Sequence, residues 1–422
     1  MNRLKVLVLS DFFPMPPRAD GIFVERQAYH LKPWCDQAVV VAVRVFPHLR
    51  IWKQVYRPAR FLQEWKKWKD RIVEMPSTGD VNGLPVFYVR YTSPPKQIFQ
   101  SVWGFFAYPF LKRTLVALHK EHHFDLIHAH WTVPSGVVAV LAQRWMKVPI
   151  VLTVHGSEVT YVARKTLFGT AVVRWVLRKV SKVLANSTWT ARELSKYGAD
   201  PERLSVIWLG GNRPKELQRM SEGHKSEVVQ LLTVGYLAKR KGHRFVIEAL
   251  RVLRDRGYVF EYTIVGDGPE ERLLRGLVDD LGLGDVVYFV GHKPHAEVWP
   301  YFLKCDIFVL PSWAEAFGVV YTEALGLGKP IIACEGEGGP EDLKALGPCV
   351  ELVKPRDVQS LVQAIGDLID DPAKREDMGR TGREIVSRYF TWERNAVATM
   401  EIYRDLVNAQ TTHILKRAGT MP

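Results

Sequence analysis

Cysteine is scarce in this chain of 422 residues, with four in all. Cys35, Cys305, Cys334 and Cys349 share no metal-ligand or redox spacing. Their scatter excludes a disulfide framework and a cysteine-based zinc site, and it fits a reducing compartment. No apolar run approaches the ~18 residues that a membrane-spanning helix needs. The first apolar run, Val6-Leu-Val-Leu9, is too short for a signal peptide and reads as a strand. A cytoplasmic location is therefore expected. There is no internal repeat of fixed period, and no Asp-x-Asp occurs anywhere. Acidic residues are short in one half only. Residues 1–213 carry 31 Lys and Arg against 14 Asp and Glu, a surplus of 17, whereas the remainder carries 27 against 31. The basic half is suited to an anionic partner, whether phospholipid, nucleic acid or a phosphorylated substrate.

What is present is ordinary for a globular chain with sizeable cores: 47% apolar and 24% charged residues, enough length for two domains. Short apolar runs alternate with helical patterns, the grammar of α/β folds with parallel sheets. Strands are expected at Leu4–Leu9, Val39–Val43, Asp125–Trp131, from Val148 to a carboxyl edge at His155-Gly156, at Lys182–Ala185 and at Leu204–Trp208. In the second half they are expected at Val229–Val234, Tyr262–Val265, Asp285–Val290, Ile307–Leu310 and Ile331–Cys334. The loop after the first strand ends in Gly21 before a helical stretch, a geometry that can turn backbone N–H groups toward a phosphate, although a plain connection reads equally well. His155-Gly156 stands at a strand end, where the imidazole either meets a ligand or is a hydrogen-bonded structural group. Gly210 to about Ser226 is polar, rich in Gly and Pro, and reads as the linker between the halves. After Pro355 the chain reads as helical to about Gln410, with a break and a new helix cap at Thr391.

Residues 44–74 interrupt the alternation. They hold nine basic residues between Arg44 and Arg71 against Glu64 and Asp70, with Trp52, Tyr56, Phe61, Trp65 and Trp68 interleaved. Ile98–Leu111 is a second aromatic-rich piece, followed by Lys112-Arg113. Aromatic rings on one side of basic helices suit the headgroup region of an anionic membrane. The competing reading is an insertion whose rings pack on the core. Nucleic acid is not expected, because the basic stretch lies in no recognisable reader motif.

The most informative stretch is Pro311-Ser-Trp-Ala-Glu315-Ala-Phe-Gly318-Val-Val-Tyr-Thr-Glu323. A buried strand stops at Pro311, and a helix begins near Gly318. Glu315 therefore falls in a strand-to-helix loop at the carboxyl edge of a sheet, and Glu323 falls inside the helix. Taken alone, two glutamates at this spacing can simply be solvated.

The ordered set Val234-Gly-x-Leu-x-x-x-Lys241-Gly, Val265-Gly-Asp-Gly-Pro, Val290-Gly-His, Pro311-Ser-x-x-Glu315-x-Phe-Gly and Glu323-Ala-Leu-Gly-x-Gly-Lys-Pro-Ile resembles family 4 of the glycosyltransferases. His128-Ala-His130, Thr153-Val-His155-Gly-Ser-Glu and Asn186-Ser187 resemble it more loosely. The resemblance covers nearly the whole chain apart from residues 44–74. It implies the GT-B fold, two Rossmann-like α/β domains facing across a cleft, with a C-terminal helix crossing back to the first. The expected division is 1–213 on the acceptor side, 214–390 for the nucleotide sugar, and 391–422 for the returning helix and tail.

The implied activity is that of a retaining, metal-independent hexosyltransferase. It moves a sugar from a nucleotide-diphosphate sugar to a glycan or lipid-linked glycan, as in the making of a surface polysaccharide. No cofactor is implied, and the missing Asp-x-Asp agrees with that. Carried over residue by residue, Lys241 is a phosphate-binding lysine and Glu323 holds the ribose hydroxyls. Glu315 addresses the donor sugar, and His155 contacts the transferred sugar from the first domain. Gly235, Tyr236, Gly266, Phe317, Gly318, Val319 and Gly21 fall among the donor-binding positions, and Arg18, Arg26 and His130 on the acceptor side. Tyr236 departs from the family, which usually has Arg there, so part of the phosphate clamp must come from Lys239, Arg240, Arg18 or Arg26. The alternatives are a nucleotide-sugar epimerase, which needs an acid and base of its own, and a non-catalytic binding protein of the same fold. An NAD-dependent oxidoreductase is disfavoured, because Gly266-Asp-Gly268 is followed by Pro269 and lacks the third fingerprint glycine.

Overall fold

The structure is a computed structural model that describes residues 3–15, 21–45, 55–94, 97–211 and 228–417. The chain forms two compact units. One comprises the residues up to Asn186, Thr190–Ile207 and those from Asn395 on; the other comprises Ser187–Trp189 and Trp208–Arg394. The inter-unit stretch that the sequence reads as a linker lies largely outside the described residues.

The first unit is built on an eight-stranded sheet in the order β3-β4-β2-β1-β5-β6-β7-β8. Its strands are β1 Leu4–Ser10, β2 Cys35–Arg44, β3 Thr78–Val81, β4 Leu84–Tyr91, β5 Leu126–His130, β6 Ile150–Val154, β7 Lys182–Ala185 and β8 Leu204–Val206. All are parallel except β3, which pairs antiparallel with β4. With β3 set aside, the sheet has the doubly wound order, whose strand direction of growth reverses between β1 and β5. The central strands are apolar throughout because helices cover both faces. Val6, Val8, Val39, Leu126 and Val151 are fully buried, for example. The helices are α1 Ile22–Leu31, α2 Pro58–Glu74, α3 Trp103–His122, α4 Val137–Met146, α5 Leu167–Lys179 and α6 Thr188–Lys196.

The β3–β4 hairpin is absent from the strands expected above. It turns at Asn82-Gly83, both with positive φ (54° and 73°), the conformation that a two-residue hairpin turn requires. β2 is also longer than expected, running from Cys35 to Arg44. Within α3, Gly104, Ala107, Leu111, Leu115 and Leu118 turn inward, while Phe105, Phe106 and Phe110 are exposed. Small and aliphatic side chains thus pack this helix, and the rings remain at the surface.

In the second unit a six-stranded parallel sheet has the order β11-β10-β9-β12-β13-β14. Its strands are β9 Val229–Val234, β10 Phe260–Val265, β11 Val287–Gly291, β12 Ile307–Leu310, β13 Ile331–Cys334 and β14 Val350–Val353. This is again the doubly wound order, and the reversal falls between β9 and β12. The crossover helices are α7 His243–Asp255, α8 Glu271–Asp280, α9 His295–Lys304, α10 Val319–Gly326 and α11 Gly338–Leu346, followed by α12 Val358–Asp370 and α13 Pro372–Tyr389.

The last helix, α14, runs from Trp392 to Arg417, and the Thr391 hydroxyl accepts the Arg394 N–H at its start. From Asn395 on it belongs to the first unit, where Ala396, Met400 and Tyr403 enter the core. Gln27 donates to Asn395 at 2.7 Å, and Tyr403 bonds the imidazole of His128. The C-terminal helix thus does return to the first unit.

Candidate active site

In open α/β sheets ligands bind beyond the carboxyl ends of the strands, where the strand order reverses. In the second unit that place lies past β9 and β12, and the segments following these strands carry the candidate residues. After β9 the chain runs Gly235-Tyr236, then through a short turn at Lys239–Lys241 into α7. After β12 it runs Pro311 to Gly318 into α10.

The two segments meet in an ion pair between Lys241 Nζ and Glu315 Oε2. Both side chains are largely withdrawn from solvent, with 12% and 14% of their surface exposed. Ser312 Oγ donates to the same carboxylate oxygen at 3.2 Å, and Arg240 Nη1 stands 3.7 Å from it. Burial alone raises the Glu315 carboxyl, but Lys241, and after it Arg240 and Ser312, outweigh burial and hold it below the usual range. Glu315 is therefore an anion at neutral pH, and it is the counter-charge paired with Lys241 among the described residues.

Gly318 caps α10 in the left-handed conformation (φ 75°), where a Cβ would stand 2.5 Å from the Tyr321 ring. Only glycine suits that corner. Val319 begins the helix, and Phe317 before it is buried against Phe390. Glu323 sits one turn further along α10, almost fully buried, with Oε1 2.8 Å from His295 Nε2 on α9. His295 is not among the residues that the sequence singles out, because no motif marks it; the fold brings it to Glu323 across 28 positions. Gly266, at the end of β10, donates its N–H to Gly291 and lies so close to the Gly235 carbonyl that a Cβ would approach to 2.0 Å. Tyr236 is more than half exposed, while Arg240 of the same segment reaches Glu315. Of the cations that the sequence offers in place of the missing family Arg, Arg240 is the one that this unit places beside Glu315.

In the first unit the carboxyl ends of β1, β5 and β6 carry a cluster of buried polar groups. His130 Nδ1 and His155 Nε2 are hydrogen-bonded at 3.1 Å, with the rings stacked at 5.4 Å. His128 bonds Thr153 Oγ1 at 2.7 Å through Nε2 and the Tyr403 hydroxyl through Nδ1. Burial lowers all three imidazoles, His128 and His155 to about 3 and His130 well below its usual value. They are neutral at pH 7. Burial also raises Asp11 well above its usual range and Glu158 to about 7; Glu158 still accepts the N–H groups of Thr132 (3.3 Å) and His155 (3.5 Å).

The His155 ring packs against Trp131 and Phe23, and its Nδ1 has no hydrogen-bond partner among the described residues. That nitrogen is buried. His130 lies in the cluster as the hydrogen-bonded neighbour of His155. Gly21 begins α1 with its backbone against Phe12, and Arg26 lies one turn on, its Nε 3.6 Å from Glu25 Oε2. Arg18 falls outside the described residues. Among the described residues no group of three or more His, Cys, Asp or Glu is placed to hold a metal ion. No helix among them is long and apolar enough to cross a membrane.

The sequence matches the family described as "Glycosyl transferases group 1" over residues 214–385 and "Glycosyltransferase Family 4" over residues 71–212. It is 31% identical over 319 residues to the D-inositol 3-phosphate glycosyltransferase of Paenarthrobacter aurescens, covering 69% of this chain and 76% of that one. With a Bacillus subtilis glycosyltransferase assigned to teichuronic acid biosynthesis it shares 28% identity over 415 residues, 95% of this chain and 98% of the other. Among solved structures, sucrose-phosphate synthase from Thermosynechococcus elongatus superposes with a TM-score of 0.76 at 22% identity, over 96% of this chain and 100% of that one. Anabaena HepE, in complex with UDP and glucose, superposes with a TM-score of 0.67 at 20% identity over the same shares. At such identities the structures speak to the fold, which is GT-B.

Proposed function

The chain belongs to glycosyltransferase family 4 and is a glycosyltransferase, and from that membership we propose a retaining hexosyl transfer from a nucleotide-diphosphate sugar, without a metal ion. The observation that carries the reading is the joining of Lys241, Arg240 and Glu315 beside the start of α10, with Glu323 inside that helix. The donor diphosphate takes the place beside Lys241 and Arg240, and the free N–H groups at the start of α10 face it. Glu323, an acceptor-only carboxylate, holds the ribose hydroxyls. Glu315, released from Lys241 by the phosphate, turns to the sugar and offsets positive charge at C1. His155 offers Nδ1 to a sugar hydroxyl. The C1–O bond to the diphosphate breaks, and its electron pair stays on the phosphate oxygen. The acceptor hydroxyl oxygen bonds C1 from the same face, and its proton passes to that phosphate oxygen. Charge building on the diphosphate is the largest demand of the transition state, and fixed cations and N–H donors meet it in place of a metal.

The acceptor in this reading is a glycan or lipid-linked glycan of a surface polysaccharide, which the teichuronic acid relative supports. An acceptor on a lipid asks for a membrane surface. On α2, Phe61, Trp65 and Trp68 form one partly exposed stripe, with ring centroids 5.7 and 5.1 Å apart. Arg60, Lys66 and Lys69 on the same helix are exposed, as are Phe105, Phe106 and Phe110 on α3. Rings at the interface and cations on lipid phosphates make these helices the peripheral docking face.

Two experiments test the reading. UDP-, GDP- and ADP-sugars are screened for hydrolysis and for thermal stabilisation, with Glu315→Ala and Glu323→Ala alongside. Glu315→Ala loses transfer yet keeps most nucleotide binding, whereas Glu323→Ala weakens nucleotide binding; wild-type rates in both reject the assignment. For the surface, sedimentation with phosphatidylglycerol vesicles is expected at low salt and lost at about 0.5 M, where the Debye length falls to roughly 4 Å. Equal binding to neutral vesicles at every salt concentration rejects the electrostatic part.

A further inference from the structure

Glu337 precedes α11 and is 8% exposed. It stands at the cap position of that helix, yet its side chain makes no cap hydrogen bond there. Instead the carboxylate reaches the loop that carries Glu315. Glu337 Oε2 accepts the Glu315 N–H at 2.7 Å. Ala314 is left-handed, with φ at 62°. A side-chain-bearing residue in that conformation costs about 1–2 kcal/mol, so something must hold it there.

The backbone after Glu337 grips the same loop. Gly338 donates its N–H to the Glu315 carbonyl at 3.0 Å. A Cβ on Gly338 would come within 1.8 Å of the Ala316 carbonyl oxygen, and one on Gly339 within 1.9 Å of that of Phe317. Residues 315–317 therefore lie directly on 337–339, and the Glu337 carboxylate holds the Glu315 N–H as Gly338 holds the Glu315 carbonyl. On the other side of the turn the Glu315 side chain faces Lys241, Arg240 and Ser312. A second carboxylate behind the loop also repels that of Glu315 toward its cations.

We propose that Glu337 is a positioning residue for sugar transfer: by accepting the Glu315 N–H it holds the turn, left-handed at Ala314, that aims the Glu315 carboxylate at Lys241. This rests on the reading of Glu315 and Lys241 as the sugar- and phosphate-contacting groups. It adds a third glutamate to the site, one that touches no substrate. The residue acts only through the placement of another, so the consequence of losing it falls on turnover and not on nucleotide binding.

The test compares the intact wild type with Glu337→Met, which keeps length and bulk but has no acceptor oxygen, and Glu337→Gln, which keeps one. Amide hydrogen exchange across residues 312–318 needs no knowledge of the donor. It is expected to speed up about tenfold or more in the Met variant and less in the Gln variant, with β9 and β12 unchanged, because the Glu315 N–H loses its partner. With the nucleotide sugar that the screen identifies, kcat is expected to fall about a hundredfold in the Met variant and about tenfold in the Gln variant, with KM within about twofold, since an error of about 1 Å in a reacting group is worth roughly that much. Graded loss with partial rescue by Gln separates positioning from loss of folded protein; if the Met variant does not fold, the Gln variant carries the test alone. Unchanged exchange across 312–318, or wild-type kcat in both variants while Glu315→Ala is inactive, overturns the role of Glu337. Wild-type turnover by Glu315→Ala overturns the underlying reading instead.

Discussion

At the carboxyl ends of β1, β5 and β6 burial disfavours charge on the polar groups of the first unit, whereas past β9 and β12 in the second an ion pair is held. His128, His130 and His155 are held neutral by burial, and Asp11 and Glu158 are pushed toward their protonated forms. Glu315 keeps its charge because Lys241 and Arg240 stand beside it. Both sheets wind in the same order and both sites lie at the same topological point, so the fold does not cause the difference. The side chains at the strand ends do. Neutral imidazoles are suited to hydroxyl groups, which carry no charge to be matched. A diphosphate requires cations, and unpaired cations withdrawn from water are costly, so the site carries its own anion in Glu315.

The comparison breaks most decisively at Lys241. Lys241→Met leaves Glu315 without its close partner and removes a cation from the diphosphate. Turnover is expected to fall about 10²–10³-fold, the scale for one lost donor to a developing oxyanion, measured as kcat on the donor that the screen identifies. A loss under about threefold places the phosphate elsewhere.

A smaller effect tests the neutral cluster. Histidines whose folded pKa values lie below the unfolded value near 6.5 bind fewer protons when folded, so their contribution to stability is present above that pH and is lost as pH falls through the window down to about 3. Glu158, raised from 4.5 to about 7, acts in the opposite sense: its burial costs stability as pH rises through 4.5–7. Asp11 opposes as well, from its own lower starting value. The three imidazoles outnumber the two carboxyls, so the stability of the first unit is expected to rise as pH rises from about 4.5 toward 6.5. Amide exchange in β5 and β6, followed against pH, reads this directly. A flat or falling profile contradicts the neutral cluster. The smallest expected effect is none: EDTA leaves transfer unchanged if protein cations alone serve the diphosphate, and its loss on chelation, restored by a divalent ion, rejects metal independence.

Much of the candidate site is legible along the chain, because its parts are local. Ile307–Leu310 and Ile331–Cys334 are strands with the expected ends, and Gly318 caps the helix that holds Glu323. These follow from apolar runs, proline stops and glycine corners, each a property of a few consecutive residues. The hairpin at Asn82-Gly83 carries an equally local signal, which the basic insertion before it overshadows. Glu337 and His295 carry none. Their roles lie in Glu315 and Glu323, at 22 and 28 positions' remove. The aromatic piece at residues 98–111 is ambiguous for a related reason. Composition counts its rings, but only packing against α4 and β4 shows that Gly104, Ala107 and Leu111 go inward and Phe105, Phe106 and Phe110 do not.

By itself the sequence determined the alternation of strands and helices, the order of the motifs and the family that they resemble, since burial between two layers of helices demands continuous apolar strands wherever they occur. Only the tertiary structure decided that Lys241 meets Glu315 across 74 positions, that His130 lies against His155, and that α14 returns to the first unit to place Tyr403 on His128. Those pairings depend on which strand lies beside which. Strand order is set by the crossovers and the packing of whole helices, and no window of consecutive residues contains it.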